Sequence, residues 1–275
     1  MGLHRSTMEL IEAAHAILEE NHPATVRQVF YQLVVRHTLP NSEKSYKAVI
    51  RTLKEGRKQS CIPWEWVEDP DRLPRTVPQW DGLADFAEDA VRSYRRSIRD
   101  AQHKYFELWL EKRALAGIFT DVLEPYGITL NVGKGYDSLS AIYTAAKRYD
   151  GKGEVEILYF GDFDPSGVDI DRSLGKRFSE LFDCRLLIIR CAILPEDIEQ
   201  FKLPPDSTKK TDKRRKGFVE TYGDIAVELD ALPLDILRGR IKAEVESRLD
   251  MRVLEAIRKR ETEEKRWLRE VLETE

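Results

Sequence analysis

Cysteine is scarce in this chain of 275 residues: Cys61, Cys184 and Cys191 are all there is. They form no CxxC pair and stand at no metal-ligand spacing from a histidine, which excludes a zinc ribbon or a dithiol redox motif. Two lie in apolar surroundings, so buried reduced thiols and a cytoplasmic location are expected. No apolar run approaches the ~18 residues that span a bilayer, and the N-terminus carries no signal-peptide pattern. Internal repeats and long low-complexity segments are missing as well. Nor is there a large net charge: 45 basic residues against 49 acidic ones leave −4. Overall electrostatics therefore do not announce a nucleic-acid binder, and any such role must rest on local clusters. What remains is a soluble globular composition, 41% hydrophobic and 34% charged, long enough for two domains.

Periodicity divides the first part of the chain. Ser6 with Glu9 reads as a capping box ahead of Leu10, Ile11, Ala14, Ile17 and Leu18. His22-Pro23 ends that helix, and Thr25 with Gln28 caps a second, "VRQVFYQLVV". A third runs from about Ser42 to Gln59 with Tyr46, Val49, Ile50 and Leu53 inward. Its other face carries Lys44, Lys47, Arg51, Lys54, Arg57 and Lys58 against Glu43 and Glu55. "CIPWEWVED" follows, with strand character. Three short helices and a β-ribbon over residues 1–68 form the pattern of a winged helix-turn-helix, whose third helix enters the major groove. A small helical bundle with a solvated basic face fits the same pattern. Residues 69–82, with three prolines, read as a linker. A helix from about Leu83 to Gln102 then sets Arg92, Arg95, Arg96 and Arg99 on one face, either a salt-bridged surface or a phosphate-tracking stripe. Linker and basic helix together cover 69–103.

From Tyr105 strands and helices alternate: "YFELWL", "KRALAGIFTDVL", "ITLNV", "SLSAIYTAAKRY", "VEILYF", a helix from about Val168 to Leu181, and "CRLLIIR". Three β–α–β steps imply an α/β domain over 104–200, a mostly parallel four-stranded sheet with helices on both faces. Residues 201–275 begin with a basic loop (Lys209, Lys210, Lys213, Arg214, Arg215, Lys216) that suits a phosphate backbone or mere solubility. A helix with Leu237, Ile241, Val245, Leu249 and Val253 follows, then a short one around Trp267, Leu268, Val271 and Leu272 that docks on the core or on a second subunit.

One stretch raises a chemical question. "YFGDFDPSGVDID" places four aspartates directly after an apolar strand, where ligand groups collect in parallel sheets. A hard divalent cation, magnesium or manganese, would relieve their repulsion. Asp162 and Asp164 are two apart and point to one side of an extended chain. Gly161 and Gly167 permit tight turns around them, and Glu111 ends the first strand of the sheet within reach of Asp162. Asp171 reads as charge at a helix start.

The ordered set "LEK" at 110–112, "GKG" at 133–135 and "GDFDPSG" at 161–167 resembles the Toprim domain, in the version found in the A subunit of topoisomerase VI and its meiotic double-strand-break relatives. That family carries an arginine four residues before the second of two adjacent aromatics on a winged-helix domain. Arg27, Phe30 and Tyr31 in "VRQVFYQL" match it. The resemblance implies Glu111, Asp162 and Asp164 as metal ligands, Tyr31 as nucleophile, and Glu111 as general acid or base. It also implies a homodimer in which Tyr31 of one subunit meets the metal site of the other, with double-stranded DNA as substrate. A separate ATPase subunit would drive strand passage, and the protein would lie on the nucleoid. "KxTDxR"-like residues at 209–214 and "VELDALP" at 227–233 have no counterpart in the topoisomerase pattern and resemble features of short stand-alone relatives.

The chemistry is coherent on its own terms. A phenol with a pKa of about 10 is a weak nucleophile, and an arginine at i−4 shares its helical face, able to bias the phenolate or hold the scissile phosphate. Two other readings remain open. One is a Toprim nuclease that hydrolyses nucleic acid with metal-activated water, Tyr31 merely packing. The other is a non-catalytic DNA-binding protein whose acidic site is structural.

Overall fold

A computed structural model describes residues 5–68, 77–133, 139–206, 208 and 211–273. Helix α1 (Arg5–Asn21) buries Ile11, Ala14, Ile17 and Leu18, a stripe at helical spacing. Thr25 starts α2 (Val26–Val35) through a complete capping box with Gln28. Ser42 caps α3 (Glu43–Lys58), which buries Ser45, Val49, Thr52, Leu53 and Gly56. Ile50 lies one helical step beyond that stripe and is 42% exposed, not inward as its hydrophobicity suggests.

The expected β-ribbon is absent among the described residues. Trp64–Trp66 form a 3-10 turn, and the two-residue strand β2 (Val67–Glu68) pairs in parallel with β1 (Ala24–Thr25). A wing is a chain folded back on itself and must be antiparallel. Here Trp66 stacks on His22 at 4.6 Å between ring centres, which ties the segment to the end of α1 instead. The prolines expected to mark the linker lie partly in 69–76, outside the described residues.

Helix α4 (Leu83–Ser93) is shorter than its pattern suggests. Tyr94 leaves the helix in an extended conformation, so Arg92, Arg95, Arg96 and Arg99 do not share one face. Each finds its own acid: Arg92 pairs with Asp89, Arg95 with Glu124 (3.6 Å), Arg96 with Glu264 (2.5 Å) and Arg99 with Glu107 (3.9 Å). The cause is tertiary. The Arg96 N–H donates to Glu261 (2.9 Å) of the last helix, replacing the bond that a longer α4 would have made, and the Tyr94 hydroxyl donates to Glu264 (2.7 Å).

Strands β3 (Tyr105–Leu110), β4 (Leu130–Val132), β5 (Val155–Phe160) and β6 (Leu186–Ala192) form one sheet in the order β4-β3-β5-β6, and every pairing is parallel. Parallel neighbours require crossovers, supplied by α5 (Ala116–Leu123), α6 (Leu139–Tyr149) and α7 (Pro165–Phe182). All six residues of β5 are buried, as a central strand covered on both faces must be. One apolar cluster joins Leu18, Val29 and Leu53 of the N-terminal helices to Leu108, Leu158 and Phe160 of the sheet and to Leu237 and Ile241 beyond it. The opposite face packs Tyr105, Val155 and Ile157 on Ile142, Leu174 and Phe178.

After β6 come α8 (Pro195–Gln200), α9 (Arg215–Tyr222), α10 (Leu234–Glu246) and α11 (Met251–Glu273). The four-residue apolar repeat of α10 is interrupted at Asp250, whose carboxylate accepts from the N–H groups of Arg252 (2.9 Å) and Val253 (3.2 Å) and starts α11. That helix has 23 residues, and Trp267 stands 63% exposed near its end rather than docked on the core. The basic loop is partly ordered: Arg215 opens α9 and pairs with Asp224 (2.8 Å), while Arg214 pairs with Asp212 (3.0 Å). Lys213 is exposed, and Lys209 and Lys210 lie outside the described residues. No helix of the described residues is long and apolar enough to cross a membrane.

Glu107 sits on β3, wholly buried. Arg148 grips it with two nitrogens (2.9 and 2.7 Å), and Asn131 (2.7 Å), Tyr105 (2.8 Å) and Tyr149 (3.0 Å) also donate to it. Burial pushes this carboxyl up, but the hydrogen bonds from Arg148, Asn131 and Tyr105 outweigh burial and hold it below the usual range. A carboxyl depressed in the folded state contributes stability above its unfolded pKa and loses that contribution as pH falls. Glu107→Gln should therefore cost on the order of 3 kcal/mol near pH 7. The difference from wild type, followed by urea denaturation, should shrink as pH drops below 4.5, the ordinary glutamate value.

Candidate active site

The sheet register explains why carboxylates meet at one place. β3 and β5 are paired to Leu110 and Phe160, so Glu111 and Asp162 leave the sheet as neighbours. The Glu111 N–H donates to the Phe160 carbonyl (2.9 Å). Its Oε2 accepts from the Asp162 N–H (3.0 Å) and the Tyr159 hydroxyl (2.9 Å). Gly161 is required for this approach, because a Cβ there would overlap both the Tyr159 hydroxyl and the Glu111 carboxylate. Arg190 on β6 secures the turn from behind, donating to the carbonyls of Asp162 (3.2 Å) and Gly167.

The three carboxylates singled out in the sequence have three different tasks. Glu111 faces the backbone of Asp162. The Asp162 carboxylate turns the other way, taking the Lys112 ammonium on Oδ2 (2.8 Å) and the Leu229 N–H on Oδ1 (2.8 Å). Asp164 caps α7: its Oδ1 accepts from the Gly167 N–H (2.6 Å) and the Ser166 hydroxyl (2.7 Å). Asp-Pro at a helix start is a capping signature, and it starts α7 three residues earlier than expected. Among the described residues, no three His, Cys, Asp or Glu side chains are gathered so as to hold a metal ion. Of "GKGYDS", only Gly133 is described; 134–138 lie outside.

Residues without an assigned role in the sequence complete the site. Lys112 also contacts Glu228 (3.0 Å) and Asp230 (3.7 Å). Both acids come from "VELDALP", which is fastened to the strand end by two backbone bonds between Val227 and Phe163 (2.8 and 2.9 Å). The signal was available: two acids set among Val227, Leu229 and Ala231, where Leu229–Ala231 form a 3-10 turn that buries Asp230 together with its apolar neighbours. Arg27 reaches in from α2, donating to Glu228 through both Nε (3.0 Å) and Nη2, with Asp230 3.7 Å away. Its guanidinium also lies over the Tyr31 ring, 5.6 Å from the centre. The candidate nucleophile and the acids Glu228 and Asp230 are thus linked within one chain through Arg27.

The cavity they enclose has a volume of about 370 Å³. Five carboxylates (Asp162, Asp164, Asp206, Glu228 and Asp230) line it against two cations, Arg27 and Lys112. A second hollow of about 180 Å³, beside Phe30, Tyr31 and Tyr46, shares Arg27 and Asp206 with it.

This imbalance sets the electrostatics. Burial pulls the Lys112 ammonium down, but the charges of Asp162, Asp230 and Glu228 overcome it and hold the group above the ordinary lysine value. Asp162 is raised by burial despite Lys112. The pair responds unequally because the ammonium faces three carboxylates, whereas Asp162 faces one ammonium. Burial and then the Asp162 charge raise Glu111. Burial raises Asp230 to about 6. Glu228 is raised by burial but lowered further by Lys112 and Arg27, and ends below the usual range. An all-oxygen donor set with excess negative charge and a buried carboxylate that accepts no hydrogen bond among the described residues is chemistry that a hard cation fits.

No protein-family model matches the chain, and a search of curated proteins finds no relative.

Tyr31 is 7% exposed, and burial, reinforced by the Glu228 charge and opposed by Arg27, pushes its phenol up to about 12. With ¹³Cζ-labelled tyrosine, the resonance that disappears in Tyr31→Phe should remain that of a neutral phenol at about pH 10.5, where an ordinary tyrosine is mostly ionised. A midpoint near 10 would mean that neither burial nor the Glu228 charge holds this phenol neutral.

Proposed function

We propose that this protein cleaves double-stranded DNA with the help of magnesium or manganese, Tyr31 forming the bond to the 5′ phosphate as in the topoisomerase VI A subunit. The observation that carries this reading is Arg27, whose one guanidinium covers the Tyr31 ring and enters the acidic strand-end cavity. A scissile phosphate brought there meets the phenol, the arginine and the Lys112 ammonium together. Asp162 with Glu111 or Asp164 would hold the cation, which would supply positive charge against the phosphate and the leaving 3′ oxygen. Glu111, raised by burial, exchanges a proton with that oxygen. Helices α1 to α3 take the part of the winged-helix domain, and Lys44, Lys47, Arg51 and Lys54, all exposed, follow the duplex backbone. The active form in this reading is a cytoplasmic, nucleoid-bound homodimer, with strand passage left to a separate ATPase subunit.

The burial of Tyr31 favours a second reading. A phenol pushed up to about 12 is reluctant to ionise, and a Toprim-like nuclease that activates water would need no phenolate.

A denaturing gel of protein incubated with end-labelled DNA and magnesium separates the two. Tyrosyl attack leaves protein on the 5′ end, and Tyr31→Phe should abolish the adduct while DNA and metal binding persist. Arg27→Ala should lower cleavage by roughly 100-fold or more. Wild-type cutting by Tyr31→Phe with free ends would reject the tyrosyl mechanism in favour of hydrolysis. Neutralising Lys47, Arg51 and Lys54 together should reduce the slope of log affinity against log salt by about two to three. An unchanged slope would mean that α3 does not face DNA.

A further inference from the structure

Tyrosyl cleavage as described above gives Glu228 and Asp230 no task, yet both carboxylates are held firmly. The Leu229 N–H between them donates to Asp162 (2.8 Å), and Val227 is locked to Phe163. Asp230 is wholly buried in the cavity wall, and neither of its oxygens accepts a hydrogen bond among the described residues. Keeping such a carboxylate out of water is costly unless something occupies the space before it. What occupies it now is the Lys112 ammonium, with Asp162, Glu228 and Asp230 oxygens at 2.8, 3.0 and 3.7 Å.

We propose that Asp162, Glu228 and Asp230 form a divalent-cation position, distinct from the Glu111 and Asp164 set, whose place the Lys112 ammonium holds in the free protein. The separations are those of an ammonium ion. Magnesium needs oxygens at about 2.1 Å, so its entry requires Lys112 to leave and the carboxylates to draw inward. Lysine is suited to leaving, being a compact charge on a flexible four-carbon stem, and this one is already 20% exposed at the side chain. The lining charges favour the exchange: with five carboxylates against two cations, a divalent ion balances the cavity better than a single ammonium. The purpose of the position rests on the cleavage reading, but its existence does not, and the test needs no DNA.

Manganese binding, followed by the electron paramagnetic resonance signal of the free ion, and the metal-induced rise in melting temperature are measured on the intact protein. Lys112→Met removes the competing charge and should bind manganese at least tenfold more tightly than wild type, with a larger thermal shift. Glu228→Gln and Asp230→Asn should each weaken binding at least tenfold. Asp230→Asn also serves as the folding control, since a buried carboxylate that accepts no hydrogen bond among the described residues and meets its counter-charges only at 3.7 Å should cost little melting temperature when neutralised without metal. If Lys112→Met does not fold, these two variants carry the test alone. Manganese affinity unchanged in both overturns the proposal, as does a folded Lys112→Met that binds no better than wild type. Binding lost in Glu111→Gln and Asp164→Asn but indifferent to residues 228 and 230 overturns it while leaving the cleavage reading its cation. Binding as expected, with DNA cut to free ends and no covalent adduct, supports this position and removes the tyrosyl mechanism.

Discussion

The confrontation of acids at the carboxyl ends of β3 and β5 is the constraint around which the molecule is arranged. Carboxylates crowded out of water are tolerable only when counter-charge and hydrogen bonds reach them. Lys112 supplies an ammonium to three of them at once. Arg27 supplies a guanidinium from a helix far away in sequence, and Leu229 supplies a backbone N–H. Each of these donors anchors a different part of the chain. Arg27 brings α2 to the sheet, Val227 and Leu229 bring the segment before α10, and Arg190 of β6 holds the turn that carries Asp162.

The protein contains a second buried acid that makes the comparison instructive. Glu107 and Asp230 are equally inaccessible, but Glu107 accepts from an arginine, an asparagine and two tyrosines. Its network is complete, and complete networks rigidify a fold. Asp230 accepts no hydrogen bond among the described residues, and its counter-charges stand off at 3.7 Å. Proteins break local rules of polar satisfaction chiefly where function asks for it. The same sheet therefore carries a finished polar cluster on β3 and an unfinished one at its carboxyl edge.

The basic residues divide along a similar line. Lys44, Arg51 and Lys54 of α3 project into solvent, while the arginines from 92 to 99 are each drawn to an acid. Only the first group forms a continuous charged surface on one element. A phosphate backbone senses fixed neighbouring cations rather than totals, which is why a net charge of −4 does not forbid contact with DNA.

How far the sequence alone reached can be judged residue by residue. Thr25 and Gln28, the apolar runs Tyr105 to Leu110 and Val155 to Phe160, and the stripe of α1 determined their elements by themselves, because capping and periodicity act over a few residues. So did the position of the acids at strand ends, since parallel β–α–β order follows from alternation. The extent of α4 was not legible, because its stop depends on Glu261 and Glu264 some 165 residues later. Nor was the missing β-ribbon, where Trp66 finds His22 rather than a partner strand. The part of "VELDALP" in the site was hidden for the same reason. Its composition marked two acids among apolar residues, but only the tertiary fold decided that these acids face Lys112, Arg27 and Asp162, since charge compensation between segments distant in sequence is settled by packing and not by local pattern.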